Sequence, residues 1–411
     1  MTAFLATMPG QVWHLAAGDP AGPLFVTSYG SDPLKTVLSA VDQRGGVLWR
    51  RDFPGTGRPW SRVSSRGTVW IARPEAAWHV LEEIDAEGRT LNTVAPPCQP
   101  GEDIGTFVLL PDGFCITWTA APPRLRGPAP LREPRVARYS SAGRQLWSTP
   151  IRLGDLSYPG VVELSEENGW TPQAKRPWTP RGVRSAYHEP LLVSGDRVAA
   201  SFQDSSGLAR TFLLDLDTGH TVAVTAPAPG GHKAIAGDGA FLIGAQGYGA
   251  FETALLNRDG TTTTRWPSHG ALTVTTDGTI RTAEMDNRQP SPTQFRHLSP
   301  GGEPGEGPHL PGYYTAPPAT DTHGTTVLWR NGNLTAIDPD MTPHHLHTLP
   351  GTGITTRTLI LESGLVALAL DHDLHLLPTP LGPLATGPWP CTDHNLNGNP
   401  THQQAAGPPT R

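Results

Sequence analysis

Three of the sixteen histidines occupy comparable places in a repeating pattern: His188, His232 and His269. Each stands at or just before the start of an apolar strand, in HEPLLVSGDRVAASFQ (188–203), HKAIAGDGAFLIGA (232–245) and GALTVTTDGTIRTA (270–283). Three neutral imidazoles with an open coordination position suit a divalent transition metal. Glu189, beside His188, adds a carboxylate that can ligate or act as a general base. The chemistry would be that of a lyase or hydrolase, with His188, His232, His269 and Glu189 as catalytic candidates. Histidines at strand starts also serve simply by hydrogen-bonding the backbone, so both readings stand. His344, His345 and His347 fall in an outer hairpin, and Asp371-His372-Asp373 reads as a turn.

A second set of candidates is basic and aromatic. The stretch 122–138 holds Arg124, Arg126, Arg132, Arg135 and Arg138. The stretch 153–187 holds Trp170, Lys175, Arg176, Trp178, Arg181, Arg184 and Tyr187. Aromatic and arginine side chains together make interaction hot spots and cation–π contacts, and guanidinium groups pair with carboxylates and phosphates. Arg124, Arg126, Arg132, Trp170, Trp178, Arg181, Arg184 and Tyr187 are therefore binding candidates for a protein partner or small ligand. The plainer alternative is a pair of proline-rich capping loops in a chain with only three lysines.

What positions these residues is a repeat. An alternating apolar strand, a polar turn with Gly and a second strand recur as VLSAVDQRGGVLWR (37–50), HVLEEIDAEGRTLNTV (79–94), VARYSSAGRQLWST (136–149), TFLLDLDTGHTVAV (211–224) and TALLNRDGTTTTRW (253–266). Weaker copies follow at 294–310, 334–349 and 374–389. The last apolar residue before each turn gives anchors at Val41, Ile84, Tyr139, Leu214, Leu256, Leu298, Ile337 and Leu377, and five of the seven intervals span 39 to 43 residues. An all-β period near 40 is that of four-stranded propeller blades. The expectation is an all-β, single β-propeller of eight four-stranded blades over residues 1–390, with seven blades the runner-up. Strand a of the first unit (11–16) and strand d of the last (384–389) imply closure by whole blades. Residues 391–411 read as a disordered tail. The two long intervals are the insertions 122–138 and 153–187. They emerge on one face of neighbouring blades, the face where the histidine-bearing strands start.

The apolar strand, Asp, Gly turn and Leu-Trp of Asp42–Gly46–Leu48-Trp49, with Gly143–Leu146-Trp147 and Asp215–Asp217–Gly219, resembles the pyrroloquinoline-quinone-like propeller repeat. The resemblance covers nearly the whole chain at repeat level, and the later units lack the Trp. Eight-bladed members of that superfamily include quinone-dependent dehydrogenases and an outer-membrane assembly scaffold, so the resemblance implies architecture rather than chemistry. The dehydrogenases use a vicinal cysteine pair, which is absent here, so the quinone is not expected as a cofactor. The expectation is no cofactor, with a divalent transition metal as the alternative that the histidines admit.

Composition bounds the rest. With 46 Gly and 44 Pro, long helices are disfavoured. A net charge of -6 with no concentrated basic stretch leaves nucleic acid without a footprint. No apolar run reaches the length of a bilayer span. The three cysteines form no C-x-x-C pair and read as reduced thiols of a cytoplasmic protein. Walker A, HExxH and G-x-S-x-G motifs are missing. The first reading is a non-catalytic binding or scaffold protein using the insertion-bearing face; the alternative is a lyase or hydrolase at the histidine cluster.

Overall fold

The computed structural model describes residues 3–31, 34–54, 61–75, 79–120, 133–152, 183–186, 188–203, 208–247, 250–284, 293–311, 315–349, 351 and 356–403. These residues are all-β and form a β-propeller. They contain no helix long and apolar enough to cross a membrane. Two compact units arise. The first spans Met1–Ala76, Val80–Ala95 and Gly270–Pro400; the second spans Ala77–His79, Pro96–His269 and Thr401–Arg411.

The recurring phrase is a hairpin with a defined geometry. Asp42 Oδ1 accepts the N–H groups of Arg44 and Gly46, and Gly45 takes φ 83°. Asp85 does the same with Glu87 and Arg89, with Gly88 at φ 83°. The pairing register shifts at each of these turns. A glycine in the left-handed region followed by a bulge is what a three-residue hairpin loop demands. The eight anchor residues all lie in the third strand of their sheet, none more than 3% exposed.

The Leu-Trp of the phrase joins one blade to the next. Trp49 donates through Nε1 to Ala86 O at 2.6 Å, and its indole covers Gly88, where a Cβ would sit 2.9 Å from the ring. In the second unit Trp147 donates to Leu216 O at 2.8 Å and covers Gly219, where a Cβ would come within 2.6 Å. Beneath these latches the facing sheets share apolar cores. One unites Phe25, Leu38, Val69 and Ile84 in the first unit; the other unites Val108, Val136, Phe202 and Phe212 in the second.

Eight four-stranded blades is not what forms: among the described residues seven blades are four-stranded, the runner-up number, and the strands of the fourth repeat build a seven-stranded sheet instead. Its innermost strand is broken into Arg184–Ser185 and Leu191–Ser194, both pairing with Arg197–Gln203. Its outermost strand is likewise split into Thr221–Val224 and Ala228–Pro229, both pairing with Leu208–Asp215. Thr401–His402 then adds in parallel to Leu191–Ser194. Short segments cover edges that one short strand leaves open.

The chain ends also depart from expectation. Phe4–Thr7 is the outer strand on Asp373–Pro378, the place assigned to 384–389. Closure through a shared blade thus replaces closure by whole blades. Residues 384 and 389 make isolated bridges to Asp321 and Val274, and Trp389 is buried. The expected disordered tail is packed as far as His402. Pro390 and Cys391 pair with Thr320 and Ala319, Leu396 with Ala17, and Asn397 with Val63. The segment thereby lines the innermost strands of the first unit. Residues 404–411 lie outside the described residues.

The latch makes a distinguishing prediction. Gly67 and Gly219 both sit at positive φ, 78° and 73°, but only Gly219 has an indole on it, while Gly67 has nothing within 4 Å. Gly67→Ala should cost about 1 kcal/mol, the left-handed penalty alone. Gly219→Ala should cost about 3 kcal/mol because the indole must also move. Urea unfolding of the two variants measures both; equal costs would remove the latch.

Candidate functional site

The break in the innermost strand of the seven-stranded sheet falls at His188-Glu189-Pro190. Glu189 takes φ 39°, a left-handed conformation that costs a non-glycine residue about 1 kcal/mol or more. The buried carboxylate offsets that strain: Oε2 accepts the Lys233 N–H at 3.0 Å, and Oε1 lies 3.4 Å from His232 Nδ1. Lys233 opens Lys233–Gly237, the innermost strand of the next sheet, so one carboxylate ties together two strand starts.

The three imidazoles follow one another in a row, His188 tilted on His232 and His232 roughly parallel to His269. The His188 and His232 ring centroids are 3.9 Å apart, and those of His232 and His269 5.9 Å. His269 is fully buried, its Nε2 accepting the His232 N–H at 3.3 Å. That bond puts its ring proton on Nδ1. Glycine makes the seat for this ring. A Cβ on Gly244 would fall 2.2 Å from His269 Cε1 and one on Gly231 2.8 Å, while Phe251 meets the ring edge-on. His232 Nε2 and His269 Nδ1 are buried with no hydrogen-bond partner among the described residues.

Electrostatics keep His188, His269 and Lys233 short of protons. The charge of His232, then burial, Lys233 and His269, hold the His188 imidazole well below its ordinary range. Burial first, with the charges of His232 and Lys233, pushes His269 down to about 3. Burial lowers the Lys233 ammonium to about 8 against the opposing pull of Glu189. Its Nζ donates to His188 O at 2.6 Å and Gly231 O at 3.1 Å. Neutral imidazoles are the metal-binding form.

One ligand atom each from His188, Glu189 and His232 lies within 4.8 Å of the others. The expected three-histidine set is therefore rearranged: Glu189 stands in the compact group, and His269 stands behind His232. A cavity of about 260 Å³ adjoins, its wall including Thr211, Gly231, Lys233, Gly244, Glu252 and Arg265. Lys233, Gly231 and Gly244 were not singled out by motif. The visible signal for Lys233 was its place beside His232, as one of only three lysines.

Of the binding candidates, Arg124, Arg126, Arg132, Trp170, Trp178, Arg181 and Tyr187 lie outside the described residues. Arg184 is exposed on the short strand before the break. Arg135 and Arg138, read as loop arginines, are buried strand residues: Arg135 grips Glu102 at 2.7 and 2.8 Å, and Arg138 pairs with Asp112 and Asp217. His344, His345 and His347 lie on the outer strand Pro343–Thr348.

No protein-family model matches the chain, and no curated protein matches it. Solved structures do. Sqt1 of Saccharomyces cerevisiae aligns over 92% of this chain and 98% of its own at 10% identity, with a TM-score of 0.57. A catalytically inactive virginiamycin B lyase from Staphylococcus aureus with quinupristin aligns over 92% and 99% at 10% identity and a TM-score of 0.46. The Dos1 propeller aligns over 89% and 78% at 10% identity and a TM-score of 0.42. At such identities the likeness shows the β-propeller fold alone.

The depressed His269 yields a pH prediction. In the unfolded chain this imidazole titrates near its ordinary 6.5, in the fold near 3. Between those values the unfolded state binds more protons, so stability falls as pH drops, by up to about 1.4 kcal/mol per pH unit. In metal-free protein, His269→Gln should flatten that decline between pH 6 and 4 (a range chosen within the about 3 to 6.5 window). Urea unfolding across the range checks it.

Proposed function

We propose that this propeller holds a divalent transition metal at His188, Glu189 and His232 and acts on a small ligand there as a lyase or hydrolase. The observation that carries the reading is the convergence of three ligand atoms within 4.8 Å. The strained Glu189 and the unpartnered imidazole nitrogens support it, since a purely structural strand start needs neither. When bound, the ion supplies Lewis acidity toward a carbonyl or phosphoryl oxygen. The chain's own groups do the remainder. Glu189 fixes His232 and the Lys233 backbone. Lys233 presents positive charge to the cavity wall, and His269 Nδ1–H faces Gly244 on that wall.

The second reading is a scaffold, a protein partner or ligand held by the insertion-bearing face, and it rests on the arginine and aromatic residues of 122–138 and 153–187. Kinship with the pyrroloquinoline-quinone-like repeat belongs to the same proposal, without the quinone. So does cytoplasmic residence, in keeping with three free cysteines.

Chelator-stripped protein titrated with Zn²⁺ in a calorimeter tests the reading. One ion per chain is expected, with affinity reduced at least about tenfold by His232→Ala and by Glu189→Gln. His344→Ala should leave it unchanged. Equal binding by wild type and His232→Ala would refute the site.

A further inference from the structure

The first unit carries a buried charge cluster that the metal reading does not use. Asp393, on the packed C-terminal segment, places Oδ2 3.4 Å from His14 Nε2 and Oδ1 3.4 Å from an Arg62 terminal nitrogen. Arg62 also donates to Gly398 O. Arg357 donates to Asn395 O and, at 2.9 Å, to Cys391 Sγ. Its Nε and other terminal nitrogen are buried without a hydrogen-bond partner among the described residues. His14 Nδ1 lies 3.1 Å from Ser61 Oγ, which lies 2.8 Å from Thr27 Oγ1. His14 and Arg62 come from the innermost strands Gln11–Ala17 and Ser61–Val63. The carboxylate facing them comes from outside those sheets.

Asp393 fits this setting poorly in two respects. Charge-assisted pairs close to about 2.7–2.9 Å, as Arg135 and Glu102 do at 2.7 Å in this same chain, whereas both Asp393 contacts stop at 3.4 Å. The backbone also enters the left-handed region twice in succession, φ 61° at Asp393 and 77° at His394. Strain of that kind persists only where the surroundings enforce it.

We infer that His14, Arg62 and Arg357 form a carboxylate-binding site whose resident occupant is Asp393, so that a free small carboxylic acid competes for it with the chain's own C-terminal segment. Burial alone would raise the Asp393 carboxyl, yet the charge of Arg62, the bond and charge from His14 and the charge of Arg357 hold it well below its ordinary range. The surroundings thus stabilise a carboxylate anion, and nothing in that stabilisation requires it to be tethered. Arg62 brings one terminal nitrogen to the carboxylate, and Arg357 adds positive charge with two buried donors that have no hydrogen-bond partner among the described residues. A ligand free of the chain could approach them without the backbone strain.

Chemical rescue tests this. Asp393→Ala should lower the melting temperature by several degrees. Acetate should restore most of that loss saturably, while chloride at equal ionic strength should not. Asp393→Gly, which empties the same space and tolerates the φ of 61°, serves in the same way if the alanine variant does not fold. Adding Arg62→Ala should abolish the restoration. In the wild type, succinate should speed hydrogen exchange at the Ala17 and Val63 amides, which bond to Leu396 O and Asn397 O. Absent rescue, or equal rescue with and without Arg62, would overturn the carboxylate site. Wild-type exchange indifferent to succinate would overturn the competition.

Discussion

A four-stranded blade cannot satisfy itself: both of its faces are apolar and its outer strands leave N–H and C=O groups open. Much of the structure follows from meeting that constraint. Faces are closed by neighbouring sheets, with Trp49 and Trp147 reaching across to bare glycine turns. Edges are closed by whatever chain is at hand. Phe4–Thr7 covers Asp373–Pro378, Thr401–His402 covers Leu191–Ser194, and both pieces of each interrupted strand in the seven-stranded sheet pair with the same neighbouring strand.

The candidate site grows out of one such accommodation. Because the innermost strand breaks at Glu189, a carboxylate enters an interior where strand residues would be neutral. It is met there by the backbone and histidine that begin the next strand. Burial then lowers His269 and weakens the hold of Lys233 on its proton, while the charge of His232 acts first on His188 in the same direction. Imidazole nitrogens beside a carboxylate oxygen are the donor set of a borderline metal ion. The same packing that completes the sheet thus brings together the donors of the proposed metal site.

The hairpins were legible in the sequence because their signal is local: Asp two residues before a turn amide and Gly at positive φ must recur wherever the same loop is built. The strand-start histidines were legible for the same reason, as fixed positions within a period. What escaped was long-range. Nothing near Phe4 announces that its partner is Leu376, and a tail with little apolar alternation gives no sign that Trp389 and Asp393 are buried. Glu189 was noticed as a neighbour of His188. That it replaces His269 in the compact group depends on a strand break and on Gly231 and Gly244, which only three-dimensional packing reveals.

The central claim is a metal ion between two blades of the second unit. Its most direct measurement is anomalous scattering from a crystal soaked in Co²⁺ and recorded at the cobalt edge. One strong peak is expected within about 2.3 Å of a His188 nitrogen, a Glu189 oxygen and a His232 nitrogen. A peak confined to the outer histidines His344, His345 and His347, or none at all, would contradict it.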